Sequence, residues 1–388
     1  MRVAMLLENN PYPQDVRVRS EAESLVEAGH EVTVIAPRAP GQSRHESIGA
    51  VRVRRFRLPE TPASALGFVV EYGIANAQLY LGALRALLTG AEVLHLHNPP
   101  DTLFGVAFLA RAMGRRAVFD HHDLAPELFE AKFGPSRVAA LLRLFERLTF
   151  SSADLVLAAN ESHRKIALER GRKDSSEVVV VRNGPPSKAL EQATEPRLGP
   201  LEDPHLLFLG SMESQDGVDS LLSVLGDLQR DHGIDRARLT FVGEGSRRGP
   251  IEAAALTAGL GDRVAFTGLI PHAEVPTHLA AADICIDPAP CTELNQRSTM
   301  IKIAEYMAAR RAVVAYPLVE TQRTAGDAIA YGRCDDQASL VGEIAGLARD
   351  PDRRLDLAER GYERARELTW DASAAELRAA YGKLRSAG

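Results

Sequence analysis

The sequence predicts an α/β protein built from two doubly wound domains of similar size. The chain has 388 residues, which is too many for one ordinary hydrophobic core. In both halves, short apolar runs rich in β-branched residues alternate with amphipathic segments, the pattern of parallel strands covered by helices. A polar stretch that contains proline and glycine, residues 187–203, separates the halves and is predicted to be the domain linker.

Each half has its own set of predicted strands. In the first half they are residues 3–7, 31–35, 51–56, 92–97, 117–120, 155–159 and 178–181. In the second half they are residues 206–209, 239–242, 264–266, 284–286 and 312–315. Helices are predicted over residues 20–28, 340–348, 354–368 and 372–384. Ligands of open α/β sheets bind at the carboxyl ends of the strands, so the loops that follow them are the candidate sites.

The composition excludes several classes of protein. Apolar residues make up 45% of the chain and charged residues 25%, as in a globular protein. A net charge of −6 gives no overall attraction to nucleic acid. No apolar run approaches the roughly 20 residues that span a bilayer, and residues 1–7 lead directly into a polar stretch instead of a signal peptide. Cys285, Cys291 and Cys334 have no metal-ligand spacing, so we expect reduced thiols in a cytoplasmic protein.

Three loops of the first half carry polar side chains at predicted strand ends. The first, residues 8–19, contains Asp15, Arg17 and Arg19, which either face a ligand or form the solvated start of a helix. The second begins at His97 and Asn98. The third, residues 120–127, has two adjacent histidines between aspartates, but adjacent loop residues seldom both ligate a tetrahedral metal. We therefore expect no metal site there.

A polar helical face is predicted in the second half. Residues 298–309 have helical periodicity, and Ser298, Lys302 and Glu305 recur at the spacing of one face. A helix N-terminus with a nearby ammonium suits an anionic phosphate, and a carboxylate farther along can accept hydrogen bonds from ribose hydroxyls. The alternative is a capped amphipathic helix whose charges face water.

This stretch also resembles a known family. Asn295, Arg297, Ser298, Thr299, Met300, Lys302, Glu305, Tyr306 and Met307 match the Asn-x-Arg-Ser-Thr-Met-x-Lys-x-x-Glu-Tyr-Met pattern. That pattern is similar to the nucleotide-sugar site of one branch of glycosyltransferase family 4. The loops at residues 11–19, 97–99 and 120–127, the segment at 181–185 and the Thr369-Trp370 pair resemble further motifs of the family, so the resemblance covers nearly the whole chain.

The resemblance implies a GT-B fold, with two Rossmann-like domains that face each other across a cleft. We expect residues 1–184 to form the acceptor-side domain and residues 185–371 the nucleotide-sugar-binding domain, with a helix at about 372–388 that packs back on the first. The implied reaction is metal-independent transfer of a sugar, with retention of configuration, from a nucleoside-diphosphate donor. UDP is the expected nucleotide, and no cofactor or nucleic acid is expected. The implied acceptor is a glycan, a lipid-linked compound or a small molecule.

The resemblance also assigns roles to residues. The implied catalytic residues are His122, Lys302 and Glu305. His122 and Asn98 position the sugar, Lys302 and the amides of Ser298 and Thr299 carry phosphate charge, and Glu305 holds the ribose. The implied donor-binding residues are Gly210, Ser211, Gly243, Leu269, Ile270, Arg297, Ser298 and Thr299. The residues implied for the cleft and the acceptor are Asp15, Arg17, Arg19, Asn98 and Asp123.

Two departures from the family pattern leave the sugar open. Arg297 stands where most members have the first glutamate of a Glu-x7-Glu motif that binds the donor sugar. The loop from Gly210 to Gly217 lacks the arginine and lysine that hold the diphosphate in most branches. A pyrophosphate still needs neutralising charge, for which Lys302, Arg297, the arginines of the first half and the Gly210 amide remain candidates.

Alternative functions and a membrane location stay open. A nucleotide-sugar epimerase of the same architecture would need carboxylates and a histidine around the sugar. A non-catalytic glycosyltransferase-like partner subunit is favoured by the missing cations. A dehydrogenase is disfavoured because no good dinucleotide fingerprint follows the first strand of either half. Residues 138–150 form an amphipathic segment for which core packing is favoured over contact with the inner face of a membrane.

Overall fold

The structure of the chain, a computed structural model, describes residues 1–58 and 65–386. It divides into two compact units, one of Met1–Asn183 with Ala372–Gly388 and one of Gly184–Asp371. The last two residues of the helix predicted at 372–388 lie outside the described residues. No helix of the described part combines the length and apolar character that a membrane crossing requires.

The first unit is a mainly parallel sheet covered by helices. Its described strands follow the order β3-β4-β2-β1-β5-β6-β7-β8, and only the β3–β4 pair is antiparallel. The strands are β1 (Arg2–Leu6), β2 (Glu31–Pro37), β3 (His45–Ile48), β4 (Val51–Phe56), β5 (Val93–His97), β6 (Arg116–His121), β7 (Leu155–Ala158) and β8 (Val178–Val180). The helices are α1 (Val16–Glu27), α2 (Ala65–Leu88), α3 (Phe104–Ala112), α4 (Ala125–Phe133), α5 (Arg137–Ser152) and α6 (Glu161–Glu169).

The second unit is a parallel sheet in the order β11-β10-β9-β12-β13-β14. Its strands are β9 (His205–Leu209), β10 (Arg238–Val242), β11 (Val264–Phe266), β12 (Ile284–Asp287), β13 (Ala312–Ala315) and β14 (Ala330–Tyr331). Its helices are α7 (Ser187–Glu191), α8 (Leu221–His232), α9 (Arg248–Thr257), α10 (Val275–Ala281), α11 (Glu293–Arg297), α12 (Ile301–Ala308), α13 (Val319–Ala325), α14 (Gln337–Arg349) and α15 (Pro351–Ala365). The last helix, α16 (Trp370–Ser386), begins here and joins the first unit from Ala372 onward.

Both sheets are buried on two faces, which explains why their strands are short apolar runs. The central strand β1 has four consecutive buried residues, Val3–Leu6, and β13 is buried throughout. The prediction of two α/β domains with parallel sheets is therefore confirmed. The alternation of strands and helices also brings the carboxyl ends of β1, β5 and β6 together in the first unit, because these strands are neighbours.

The expectation of reduced cysteines is wrong for two of the three. Cys291 and Cys334 form a disulfide with a Cα–Cα distance of 5.8 Å, although 43 positions separate them in the sequence. Cys285 is a free, buried thiol on β12. Sequence spacing gives no indication of the pair because the two residues lie in separate loops, one after β12 and one after β14.

The prediction of one helix from Ser298 is also wrong. Thr292 caps a separate short helix, α11, by accepting a hydrogen bond from the Asn295 amide. Ser298 ends that helix in an extended conformation, with φ −92° and ψ 137°, and α12 begins only at Ile301. The chain therefore bends at residues 298–300, and Ser298 does not share a helical face with Lys302 and Glu305.

Candidate functional site

The Lys302 side chain reaches the carboxyl-end edge of the second sheet. Its Nζ lies 3.1 Å from Asp216 Oδ1 and 3.4 Å from Asp287 Oδ1, and it stands 4.5 Å above the Phe208 ring. Burial would lower the pKa of Lys302, but the two carboxylates outweigh it and raise the pKa. The ammonium is therefore a fixed, buried positive charge.

Two glycine turns lie beside this ammonium. Gly210 follows β9 with φ +136°, and a Cβ atom there would lie 3.1 Å from Lys302 Cε. Gly243 follows β10 with φ +140°, and a Cβ there would lie 1.9 Å from the Gly210 carbonyl oxygen. Glycine is thus required where the two strand ends approach each other and the lysine.

The backbone amides expected to bind phosphate are largely engaged within the protein. The Gly210 amide donates to Val242 O at 2.9 Å, and the Gly243 amide donates to Gly268 O at 3.2 Å. The Ser298 amide donates to Asn295 O at 3.1 Å, and its hydroxyl donates to Leu294 O at 2.9 Å. The expectation that the Gly210 and Ser298 amides are open to a phosphate is therefore wrong, because the first closes a strand turn and the second ends α11.

The remaining expected donor residues surround this edge. Ser211 is exposed, and Thr299 is half-buried in the bend before α12. Arg297 is half-exposed on α11, with its guanidinium 3.5 Å from Glu293. Leu269 is 84% exposed just after β11, whereas Ile270 packs against the core.

Glu305 lies one turn after Lys302 but borders a different space. It lines a cavity of about 270 Å³ together with α7, α10 and the preceding turn. The other lining residues are Pro185, Pro186, Lys188, Ala189, Gln192, Thr194, His272, Ala273, Val275, Pro276, Leu279, Ala280 and Ala309. Burial raises the pKa of Glu305 to about 7, against the effect of Lys302. One helix thus presents an ammonium at the sheet edge and a carboxyl group in a cavity.

In the first unit, His122 is held by Asp120. The His122 Nδ1 atom lies 2.8 Å from Asp120 Oδ2, and the His122 side chain is 10% exposed whereas that of Asp120 is fully buried. Burial would lower the pKa of His122, but the Asp120 carboxylate and its hydrogen bond raise it to about 9. The Nε2 side of the ring is therefore the accessible end of a buried polar cluster.

Asn98 holds the backbone next to His122. Its side-chain oxygen accepts from the amides of His122 at 2.8 Å and Asp123 at 3.1 Å, and its Nδ2 donates to Asp123 O at 2.7 Å and Asp101 Oδ1 at 3.2 Å. These four hydrogen bonds use the hydrogen-bonding capacity of the Asn98 side chain. The structure therefore shows Asn98 holding the backbone and not contacting a sugar directly. Asp123 is exposed beside it.

Arg17 and Asp15 have structural roles. Arg17 is buried and donates to both carboxylate oxygens of Asp120, at 2.8 and 2.6 Å, and to Asn183 Oδ1. The expectation that Arg17 faces a ligand is wrong because its guanidinium neutralises this buried carboxylate. Asp15 caps α1 through the Val18 amide, and Arg19 is half-buried on the first turn of α1.

Sequence reasoning missed the rest of the buried cluster. His97 Nδ1 lies 3.1 Å from Asp120 Oδ2, Glu21 Oε1 lies 3.2 Å from Arg17, and His95 Nδ1 lies 2.9 Å from the Tyr381 hydroxyl on α16. Two histidines at alternate positions of one buried strand were the available signal, since a buried imidazole needs partners.

Within this cluster, four of the described residues lie close enough together to resemble a set of metal ligands. One atom each of Glu21, His95, His97 and Asp120 lies within 4.8 Å of the others. Arg17 stands 2.6 Å from Asp120 and 3.2 Å from Glu21 and already supplies the positive charge. A second cation there would be repelled, so the cluster fits an internal ion-pair network better than a metal site.

Two parallel-sheet α/β units in one chain are the architecture of GT-B glycosyltransferases. The solved HepE protein from Anabaena, in complex with UDP and glucose, has the same fold, with a TM-score of 0.73, 15% identity and coverage of 99% of this chain and 100% of that one. Residues 14–184 match the family described as "Glycosyl transferase 4-like domain", and residues 203–350 match "Glycosyl transferases group 1". Together these matches span most of the chain, which therefore belongs to glycosyltransferase family 4 and transfers sugars.

Two curated relatives are similar over most of their length. The phosphatidyl-myo-inositol mannosyltransferase of Mycolicibacterium smegmatis is 26% identical over 100% of this chain and 95% of its own. The GDP-mannose-dependent alpha-(1-6)-phosphatidylinositol monomannoside mannosyltransferase of Mycobacterium tuberculosis is 29% identical over 90% of this chain and 88% of its own.

Proposed function

We propose that this glycosyltransferase moves a hexosyl group from a nucleoside-diphosphate sugar to a hydroxyl acceptor, with retention of configuration and without a metal. The observation that carries the proposal is that the side chains of Lys302 and Glu305 leave α12 toward two different spaces. Lys302 places a buried ammonium beside two glycine turns, and Glu305 places a carboxyl group in a cavity about 270 Å³ in volume. The ammonium is complementary to the diphosphate of a nucleotide, and the carboxyl group is complementary to the ribose of the same nucleotide.

The diphosphate is assigned to Lys302. Asp216 and Asp287 fix its ammonium before any ligand arrives, so little ordering of the side chain is needed on binding. Burial raises the pKa of Asp287, and the neighbouring Lys302 ammonium opposes that shift. A prepositioned cation stabilises the charge that develops on the leaving diphosphate, and this is the reason for proposing a metal-independent reaction.

The nucleoside is assigned to Glu305 and its cavity. An ionised Glu305 accepts hydrogen bonds from two ribose hydroxyls, and the apolar side chains of α10 supply a wall for the base. The chain at Leu269 and Ile270, which follows β11 and in which Leu269 is exposed, is the proposed contact for the edge of the base. We propose UDP as the nucleotide, in keeping with the sequence motif. The GDP-mannose dependence of the Mycobacterium tuberculosis relative makes GDP the competing assignment.

A nucleotide-binding titration tests the proposal. Melting temperature is measured with UDP, GDP, dTDP and their sugars, each with and without EDTA, because a ligand that binds only the folded protein raises its apparent stability. We expect UDP or UDP-sugars to raise the melting temperature equally with and without EDTA, and Lys302→Ala to abolish the rise. Lys165→Ala, on an exposed lysine of α6, is the matched control. No shift with any nucleotide contradicts the proposal.

Product assays separate the alternative functions. Sugar appearing on an added acceptor supports transfer, whereas conversion of the donor into another nucleotide sugar without acceptor supports the epimerase. Tight nucleotide binding with no product under any acceptor supports the non-catalytic subunit. Retention is read from the anomeric configuration of the product.

We propose a lipid-linked acceptor approached at the helical pair α4–α5. One face of α5 packs inward through Ala139, Thr149 and Phe150, as the sequence favoured, but the other face is apolar and exposed. The exposed side chains of the pair are Leu128, Phe133, Val138, Leu141 and Leu144, accompanied by the exposed cations Lys132, Arg137 and Arg147. Apolar and cationic side chains together suit an anionic membrane surface, and both curated relatives are named for phosphatidylinositol-type acceptors.

Vesicle sedimentation tests this assignment. We expect the protein to sediment with vesicles of anionic phospholipid and not with phosphatidylcholine alone. Leu141→Glu with Leu144→Glu should abolish sedimentation, whereas Leu256→Glu, on an exposed leucine of α9 in the second unit, should leave it unchanged. Equal sedimentation of both variants contradicts the assignment.

A further inference from the structure

We propose that the Cys291–Cys334 disulfide is a redox-sensitive latch that sets the donor affinity of the Lys302 site. The inference rests on the proposed function and adds a mode of regulation to the same site. The disulfide ties the segment between β12 and α12 to the turn after β14.

The disulfide holds the start of a segment that leads directly to the site. Cys291 precedes α11, and its backbone amide donates to Asp335 Oδ1 at 2.9 Å. Cys334 and Asp335 belong to one tight turn, in which Asp335 adopts φ +55°. A covalent bond and a hydrogen bond therefore join the same two segments, and the segment continues through Arg297 and Thr299 into α12.

This segment in turn supports the loop that carries Asp216. The buried Asn295 side chain donates to Gln215 O at 2.8 Å and to Pro290 O at 2.9 Å. Gly217 lies so close to Pro288 that a Cβ atom would stand 2.2 Å from its carbonyl oxygen. The loop at residues 214–217 is therefore positioned by residues 288–295 on both sides of Asp216.

Asp216 transmits this position to the ammonium. Its Oδ1 lies 3.1 Å from Lys302 Nζ, so a displaced loop removes one of the two carboxylates that fix the lysine. The path from the disulfide to the proposed phosphate contact consists of covalent bonds, hydrogen bonds between the Asn295 side chain and backbone carbonyls, and one ion pair. Loss of the covalent restraint leaves only weaker contacts to hold residues 288–299 in place.

The disulfide is open to reductants, whereas the third cysteine is not. Cys334 is exposed and Cys291 is half-buried, but Cys285 is fully buried on β12. A dithiol attacks one sulfur as its thiolate, the Sγ–Sγ bond breaks and a mixed disulfide forms. The second thiol of the reagent then displaces the protein sulfur. Two electrons and two protons end on Cys291 and Cys334, and the reagent becomes a cyclic disulfide.

The test compares the full chain before and after treatment with dithiothreitol. Thiol titration of the denatured protein should find one free thiol before reduction and three afterwards. We expect reduction to raise the dissociation constant for UDP, or for the nucleotide that binds in the titration above, by about tenfold, the order of effect that the loss of one hydrogen bond to a charged group has. Amide exchange should accelerate in residues 214–217 and 288–299 and stay unchanged in residues 1–183.

Serine variants provide the controls. Cys291→Ser with Cys334→Ser should bind nucleotide as the reduced protein does, with or without dithiothreitol. Cys285→Ser should retain the full redox response. Equal nucleotide affinity in the oxidised and reduced protein overturns the latch while leaving the proposed function intact, and so does the absence of a disulfide in air-oxidised protein. Failure of both forms to bind any nucleotide overturns the proposed function and the latch together.

Discussion

Lys302 Nζ and Asp216 Oδ1 lie 3.1 Å apart and join α12 to the loop that follows β9. In this chain the loop supplies the carboxylate and the helix supplies the ammonium. The positive charge is thus present beside Gly210 although the loop itself lacks a cation.

Lys302→Ala is expected to lower kcat by about 10²-fold, as removal of one charge-stabilising contact typically does. Because Asp216 and Asp287 would lose their partner, melting temperature is measured alongside initial rates, so that unfolding is not mistaken for lost chemistry. Lys165→Ala should keep normal kcat. Turnover close to that of the unmodified enzyme would remove Lys302 from the mechanism.

Glu305→Gln tests the ribose assignment through pH. The pKa of Glu305 is about 7, so the group is mostly protonated at pH 6 and mostly ionised at pH 8. An ionised carboxylate is the better acceptor for two hydroxyls, and the donor KM should therefore fall as pH rises through 7. In Glu305→Gln the donor KM should be higher at pH 8 by about tenfold and lose this pH dependence. Glu252→Gln on α9 is the control, and a wild-type pH profile in Glu305→Gln would refute the role.

His122 should act as an imidazolium near neutral pH, because its pKa is about 9. We expect kcat to fall as pH rises through 9. Asp120→Asn removes the carboxylate that raises this pKa, so the fall should move toward the ordinary histidine value of about 6.5. His122→Gln should abolish this limb of the profile. If kcat of Asp120→Asn still falls near pH 9, His122 is not the group whose deprotonation lowers kcat.

The same pKa makes a prediction about stability. Since the folded-state pKa of His122 lies above the unfolded value of about 6.5, its contribution to the free energy of unfolding is fully present below pH 6.5 and is lost as pH rises through 9. Urea titrations of the wild-type protein and His122→Gln should therefore differ most at low pH and converge above pH 9. A constant difference across this range would contradict the Asp120–His122 pairing.

Arg17→Met should destabilise the protein by about 3–5 kcal/mol, because it removes the guanidinium that pairs with Asp120 and Glu21 in a buried site. Arg19→Met, on the half-buried neighbour, should change the free energy of unfolding by no more than about 0.5 kcal/mol. Urea denaturation measures both values. Normal stability with altered kinetics in Arg17→Met would instead restore Arg17 as a ligand contact.

The fold was predictable to the extent that its strands are buried on both faces. Strands such as β1 and β13 are continuous apolar runs, whereas β3 is an exposed edge strand of sequence HESI that has no apolar pattern. The start of α12 was mispredicted because Ser298 is a good N-cap residue by type. Thr292, six positions earlier, instead caps a separate helix, α11.

The candidate site was predictable in its residue types and less so in its contacts. Spacing and family resemblance identify Lys302 and Glu305. Their different surroundings depend on the side of α12 from which each side chain leaves the helix. The partners Asp216 and Asp287 come from two other strand ends, and Arg17 meets Asp120 across 103 positions. Such pairings follow from sheet order, which local sequence does not encode.

The hydrogen bond between Tyr381 and His95 spans 286 positions, because α16 belongs to the first unit. During synthesis on the ribosome, the first unit therefore lacks its closing helix until the second has been translated in full. We expect a nascent chain halted after residue 183 to leave the surface beneath α16 uncovered and to engage chaperones. The second unit needs no later segment, because it is one continuous stretch, residues 184–371.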